Sequence, residues 1–323
     1  MHNFLKHFST LFVLLIVLCS CSSDQDVTIP DANLAAAVRE ALGLGPTDSI
    51  PLKKLQELER LDADDRGIKD LTGLEKATGL KTLKLQKNQI SDITPIAELT
   101  QLVRLELFKN RIDDITPLTG LTKLTLLWLD YNQIRDLTPL AGLTQMTKLG
   151  LNGNHINDLT PLTDLTQIAI LRLRDNQIRD LTPLTGLTHL SHLILMENNI
   201  SNLTPLTELT QLEGLWLDSN QINDLTPLAE LTKLTELGLN ENQINNVTPL
   251  TDLTQMTRLR LDRNQINDIS FVENFMYLKR LHIRENPIQD LEPLQKLLKQ
   301  IPNLELDIPP TEELDIQPPP AND

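Results

Sequence analysis

Leu124–Thr144 reads LTLLWLDYNQIRDLTPLAGLT, and the rest of the chain repeats it with variations. Asn132 within it belongs to a series of ten asparagines, Asn88 to Asn286, spaced 22 residues apart throughout. Leucines keep the same step: Leu83, Leu105, Leu127, Leu149 and Leu171 open one column, and Leu85, Leu107 and Leu129 the next. An internal period between 20 and 50 residues marks a fold made by stacking one short unit on another. Because 22 is not a multiple of seven, the leucines do not form a coiled-coil seam. Stacked arrays grow by adding units, so 323 residues need not divide into two ordinary domains.

Aligned on the asparagine, the unit is LxxLxLxxNQIxDLTPLxxLTx. Alternation in LxL is that of a strand with one buried face. One strand per unit, always in the same direction, gives a parallel sheet. Strands about 4.8 Å apart in about eleven coils make roughly 50 Å of sheet. After the strand the chain turns inward without a strand partner. The asparagine amide is placed to satisfy backbone groups there, at about 1 kcal/mol net per bond. The asparagine column is therefore read as scaffold. In the following segment, Asp136–Leu140, threonine then proline reads as an N-cap and first position of a short helical turn. The aspartates before it (Asp92, Asp114, Asp136, Asp158, Asp180, Asp224, Asp268 and Asp290) read as solvated cap acids rather than a ladder of calcium ligands.

The array has distinct ends. Pro30-Asp31 opens a helix of strong helix formers, with Leu34, Val38 and Leu42 on one stripe. Such a helix covers the open core face of a first coil. Arg66 takes the asparagine place in the degenerate first unit, Leu58–Gly79. At the far end Phe271 breaks the proline column, Val272 and Phe275 take leucine places, and Ile301–Leu306 is a last strand. Beyond it the segment with Pro318-Pro319-Pro320 is too proline-rich to pack.

The N-terminus carries an address. Lys6 precedes the apolar run Leu11–Leu18, which is too short to span a bilayer and fits a signal-peptide core. Leu18-Cys19-Ser20-Cys21 resembles the bacterial lipobox, which implies cleavage before Cys21 and lipidation of it. The alternative is an ordinary secretory signal with Cys21 an idle thiol. With only Cys19 and Cys21 present, disulfides do not stabilise the array.

The 22-residue unit, together with the opening IPDANLAAAVREALGL, resembles the bacterial leucine-rich repeats and helical cap of internalins, over roughly Ile29 to Leu306. The resemblance implies an α/β leucine-rich repeat solenoid. Its parallel sheet would lie on the concave face, its short 3-10 or helical turns on the convex face, and a helical cap at the N-terminus. The expected division is 1–20 lipoprotein signal, 21–28 tether, 29–57 cap, 58–306 solenoid and 307–323 proline-rich tail. It also implies a binding protein of the bacterial cell envelope, periplasmic or at the cell surface. Internalins usually continue into further modules, and the resemblance does not carry over a receptor.

Partner specificity belongs where the repeat is not repeated. Counting from the asparagine, positions -6, -4 and -2 point out of the sheet and -1 lies at its rim. Both tryptophans, Trp128 and Trp216, are at -4. Phe108, Leu126, Tyr131, Ile170, Ile194 and Met196 add apolar area around them. With aromatics only 3% of the chain, four on one face favour a binding patch. The same columns hold twelve basic and nine acidic residues in a chain of net charge -15. The bases concentrate at Arg172 and Arg174 and again at Arg258, Arg260 and Arg284. That arrangement suits an acidic protein partner, unless the arginines pair with neighbouring acids. A glycan is the alternative occupant. The acidic chain argues against nucleic acid, and against membrane contact other than through the lipid. No cofactor or metal is expected. His155, His189, His192 and His282 form no metal or triad pattern, and no phosphate loop or nucleophile elbow occurs, so the chain does not read as an enzyme.

Overall fold

The computed structural model describes residues 25–307. The signal segment, Cys21 and the proline-rich tail lie outside the described residues. Strands β1 (Asp26–Val27) and β2 (Ile50–Pro51) pair antiparallel around helix α1 (Ala32–Ala41), and α2 (Leu52–Gln56) follows directly. The polar stretch expected to be a tether through residue 28 therefore ends sooner, since Asp26 and Val27 are already part of the cap.

Twelve strands of three residues each then form one parallel sheet in strict chain order. They are β3 (Arg60–Asp62), β4 (Thr82–Lys84), β5 (Arg104–Glu106), β6 (Leu126–Trp128), β7 (Lys148–Gly150), β8 (Ile170–Arg172), β9 (His192–Ile194), β10 (Gly214–Trp216), β11 (Glu236–Gly238), β12 (Arg258–Arg260), β13 (Arg280–His282) and β14 (Glu305–Asp307). Each central leucine sits beside the next, as Leu127 beside Leu149, because identical spacing leaves only one register that keeps every leucine inside. From β3 to β13 these leucines are fully buried, in one continuous core with the isoleucines that follow Asn88 to Asn264, while Leu306 of β14 and Ile288 pack against it half-buried at the end of the stack. The return side is a row of 3-10 turns, such as Thr138–Leu140.

The asparagines do what their column suggested. Asn132 Nδ2 donates to the carbonyls of Leu107 at 3.1 Å and Leu129 at 3.0 Å, and its Oδ1 accepts from the Ile112 N–H at 3.0 Å. One side chain thus ties two coils where no strand pairing exists.

At the turn into the 3-10 segment the aspartates act as cap acids, as the sequence reading had them, but the threonine is not the N-cap. Leu137 stands at the N-cap place, and Asp136 before it supplies the hydrogen bond: its Oδ1 accepts the Thr138 N–H at 2.8 Å, while Thr138 is already inside the turn, ahead of Pro139. The hydroxyl and N–H of the threonine hold Asp136 below the ordinary carboxylate range, as their counterparts do at Asp92, Asp114, Asp158, Asp180 and Asp224. Asn202 and Asn246 cap in the same way, each at 3.0 Å.

Both ends are closed by specific contacts. Asp31 caps α1 through Oδ1 and accepts the Lys69 N–H of the first coil through Oδ2 at 2.9 Å. Arg66, in the asparagine place, reaches Glu40 of α1 at 2.7 Å. At the other end the step from Arg280 to its partner Glu305 is 25 residues instead of 22, and helix α3 (Glu292–Gln300) stands where the other coils have a 3-10 turn. Val272 and Phe275 are buried there, as expected.

Candidate functional site

The outward columns share one face, but they are less exposed than alternation implies. Of the thirteen residues singled out from sequence, Tyr131, Arg172, Arg258 and Arg284 are exposed. Phe108, Leu126, Trp128, Ile170, Arg174, Ile194, Met196, Trp216 and Arg260 are half-buried. Glu106, Asp130 and Asp218, also in outward columns, are buried. Glu106 is covered by Gln86 and Arg104, which both donate to it, whereas Asp130 and Asp218, with the tryptophans beside them, lie flat along the sheet where glycine leaves room.

Two places show this. A Cβ on Gly150 would overlap the Trp128 ring and the Asp130 carboxylate. A Cβ on Gly238 would sit 3.2 Å from Trp216 Cδ1 and 3.1 Å from Asp218 Cγ. The glycines are therefore seats for a tryptophan and an aspartate of the preceding coil. Two coils beyond each tryptophan stands an arginine, Arg172 or Arg260. The pattern Trp-x-Asp, Gly-x-Asn, Arg on three successive coils occurs twice, as Trp128, Asp130, Gly150, Asn152, Arg172 and as Trp216, Asp218, Gly238, Asn240, Arg260. The copies are 88 residues, or four coils, apart. The sequence reading missed this higher repeat, although its spacing was there to be counted.

The copies settle into different arrangements, and one residue accounts for the difference. Leu126 precedes Trp128 on its strand, so that ring leans forward over Gly150 and meets Arg172, whose guanidinium lies 4.6 Å from the ring centre. Gly214 holds the matching place before Trp216. That ring leans back, with Cζ3 where a Gly214 Cβ would be only 2.7 Å away, and stacks on His192 at 6.0 Å. Arg260 then finds no ring and pairs with Asp218 at 2.5 Å. In the first copy burial pushes the Asp130 carboxyl up, against the pull of the Asn152 N–H and of Arg172.

The charge pattern follows the same division. Beside Trp128, Phe108 and Tyr131 meet edge to face at 5.5 Å, and Lys109 Nζ lies 5.3 and 5.7 Å from their centres. Phe108, Trp128, Tyr131, Asn152 and Arg172 line a cleft of about 250 Å³. Gln86, Glu106 and Asp130 complete its lining, with both carboxylates buried beneath the rings. Arg172 within the cleft and Lys109 beside it rest on ring faces. The cluster at the other end is neutralised internally: Arg258 pairs with Glu236, Arg260 with Asp218, Arg284 with Asp307, and Arg263 with Glu241 and Glu285. Arg174 pairs with Glu197 at 2.5 Å. The expected basic stretch from Arg258 to Arg284 is thus not free charge.

Position -2 has a structural task that alternation hides. Asp130 Oδ1 accepts the Asn152 N–H at 3.2 Å, and Asn152 Oδ1 accepts the Arg174 N–H at 2.8 Å, which extends the sheet by one rung. The rim position -1 is left-handed throughout, for example φ +56° at Tyr131 and +60° at Gly153. Among the histidines, His189 contacts the Thr166 carbonyl and His192 stacks on Trp216. His282, read from sequence as part of no metal or triad pattern, lies between Asp262 and Asp307, because 20-residue and 25-residue separations close into neighbouring coils.

A family model described as leucine rich repeats (2 copies) matches residues 100–142. A search of curated proteins finds no match. Among solved structures, an internalin (inlF) from Listeria monocytogenes is 32% identical, with 90% of this chain and 92% of that one covered and a TM-score of 0.76. An internalin C2 from the same organism is 38% identical over 65% of this chain and 93% of that one, at a TM-score of 0.64. The functional domain of InlJ from Listeria monocytogenes, which includes a cysteine ladder, is 27% identical over 88% of this chain and 62% of that one, at a TM-score of 0.75.

Proposed function

This chain belongs to the internalin-type leucine-rich repeat proteins of bacteria, and from that premise we propose that it is a binding protein, not an enzyme, whose concave sheet holds a protein partner. Solenoids of this kind present long concave surfaces suited to such contacts. The partner docks on the first half of the face, at the cleft of Phe108, Trp128, Tyr131 and Arg172. One observation carries this reading: Lys109 and Arg172 lie on aromatic rings, whereas the arginines of the second half are matched to carboxylates. A cation on a ring keeps its outward N–H groups available. The partner therefore brings an acidic group beside an apolar one.

The test is affinity capture from cell-envelope extracts by the full chain, by the double variant Trp128→Ala/Arg172→Ala, and by Arg258→Ala as a control on the neutralised half. A protein retained by wild type and by the control but lost by the double variant is the expected result. Equal capture by all three refutes the placement. Binding on a glycan array that is lost with the same variant would make the occupant a carbohydrate.

Export and lipid anchoring complete the proposal. Their support is Leu18-Cys19-Ser20-Cys21 after an apolar run. Among the described residues no helix is long and apolar enough to cross a membrane. Cys21→Ser should move the protein from the membrane fraction to the soluble one, and unchanged fractionation would refute the anchor.

A further inference from the structure

At the last coils of the same face, three side chains from three neighbouring coils converge: Asp262, His282 and Asp307. Their ligand atoms lie within 4.8 Å of one another. His282 Nδ1 is 3.6 Å from Asp262 Oδ2 and 3.6 Å from Asp307 Oδ2. Those distances are too long for hydrogen bonds, which end near 3.2 Å. They are close to the edge of a metal polyhedron, about 3.0–3.4 Å when each bond is near 2.1 Å. We propose that Asp262, His282 and Asp307 form a binding site for a divalent transition cation of the zinc type.

The other oxygen of each carboxylate supports this reading. Asp262 Oδ1 accepts the Arg284 N–H at 2.6 Å, and Asp307 Oδ1 takes the Arg284 guanidinium. One residue therefore holds both outer oxygens and leaves both Oδ2 atoms turned to the imidazole. That is how surrounding groups orient metal ligands. Imidazole with carboxylates suits zinc-like cations better than calcium, which takes oxygen ligands.

Nearby positive charge does not defeat the site, because it is spent elsewhere. Arg260 is on Asp218, Arg258 on Glu236, and Arg280 on Glu305. Two carboxylates against Arg284 leave the cluster net negative while His282 is neutral. The competing account is an imidazolium shared between the two acids, which needs no metal.

Three protein ligands leave a zinc-like cation an open outward position. In this place it would fasten β13 to β14 and face the concavity, where a partner's carboxylate could complete its coordination. The site stands independently of the docking cleft, four coils or more away along the sheet.

Calorimetric titration of the metal-free full chain with zinc chloride at pH 7.5 decides between the accounts. One saturable site per chain is expected. His282→Ala and Asp262→Asn should each weaken it by at least about 100-fold, since even the groups behind a ligand are worth about 10–100-fold. Asp114→Asn, on the opposite side, should leave it intact and so controls for loose binding by an acidic chain. Zinc should raise the melting temperature of wild type and not that of His282→Ala. Absence of a saturable site, or binding by the His282 and Asp262 variants as tight as that of wild type, overturns the proposal.

Discussion

Gly150→Ala asks whether the first half of the concave face is a built arrangement or a chance cluster of large side chains. The new methyl would overlap Asp130 Oδ2 and Trp128 Cε3 and lie 3.0 Å from Asp130 Cγ. Gly150 is buried on β7 with strands paired on both sides, so the backbone cannot retreat. The ring and the carboxylate must move instead. Overpacking costs about 1–3 kcal/mol. A buried Asp130 pulled from the Asn152 N–H costs about 1–3 kcal/mol more. The two overlap, because one displacement relieves both, and about 2–4 kcal/mol is expected. Gly142→Ala is the internal control: nothing lies within 4 Å of its Cβ, and a change within about 0.5 kcal/mol is expected. Urea unfolding measures both. In a Trp216→Phe background the emission of Trp128 alone reports whether its ring has left Arg172. A Gly150→Ala protein as stable as the control, with unchanged emission, would refute the seat and with it the shape of the proposed cleft.

Other outcomes follow from the scaffold. Asn132→Ala strands two carbonyls and one N–H between coils and should cost about 2–4 kcal/mol in urea unfolding; a loss near zero would mean water replaces the amide. Leu171→Ala, at a fully buried position, should cost about 2–5 kcal/mol by the same measurement, and an effect of surface size would contradict its placement. Acid should destabilise the array below about pH 4. The turn-capping aspartates ionise more readily folded than unfolded, so their contribution is present above the ordinary carboxylate value and is lost as pH falls through the depressed one. Asp130, Asp262 and Asp64 act oppositely: raised by burial, they favour the folded chain as pH falls toward about 4. A melting-temperature profile should therefore peak on the acidic side of neutrality and fall steeply below about pH 4, and a flat profile would exclude the caps as contributors.

The sequence alone determined the stack. Asn132 and Leu127 do the same task in every coil, and a task repeated at fixed spacing appears as one residue type in a column. The cap helix was legible from Asp31 and its apolar stripe for the related reason that its signals are local. The aspartates were legible as cap acids, but the threonine was misread as the N-cap, because threonine before proline offers the same local pattern and only the position of the first 3-10 residue shows that it lies inside the turn. The site was legible as a list of residues but not as an arrangement. Whether an arginine meets a ring or a carboxylate depends on which way a tryptophan leans, and that depends on Leu126 or Gly214 two positions earlier. Arg172 and Trp128, or His282 and Asp307, are 44 and 25 residues apart in the chain and meet only once coils are stacked. Repetition places every Cα in advance; the rotamers on the open face are chosen by neighbours on other coils, and that choice exists only in the folded protein.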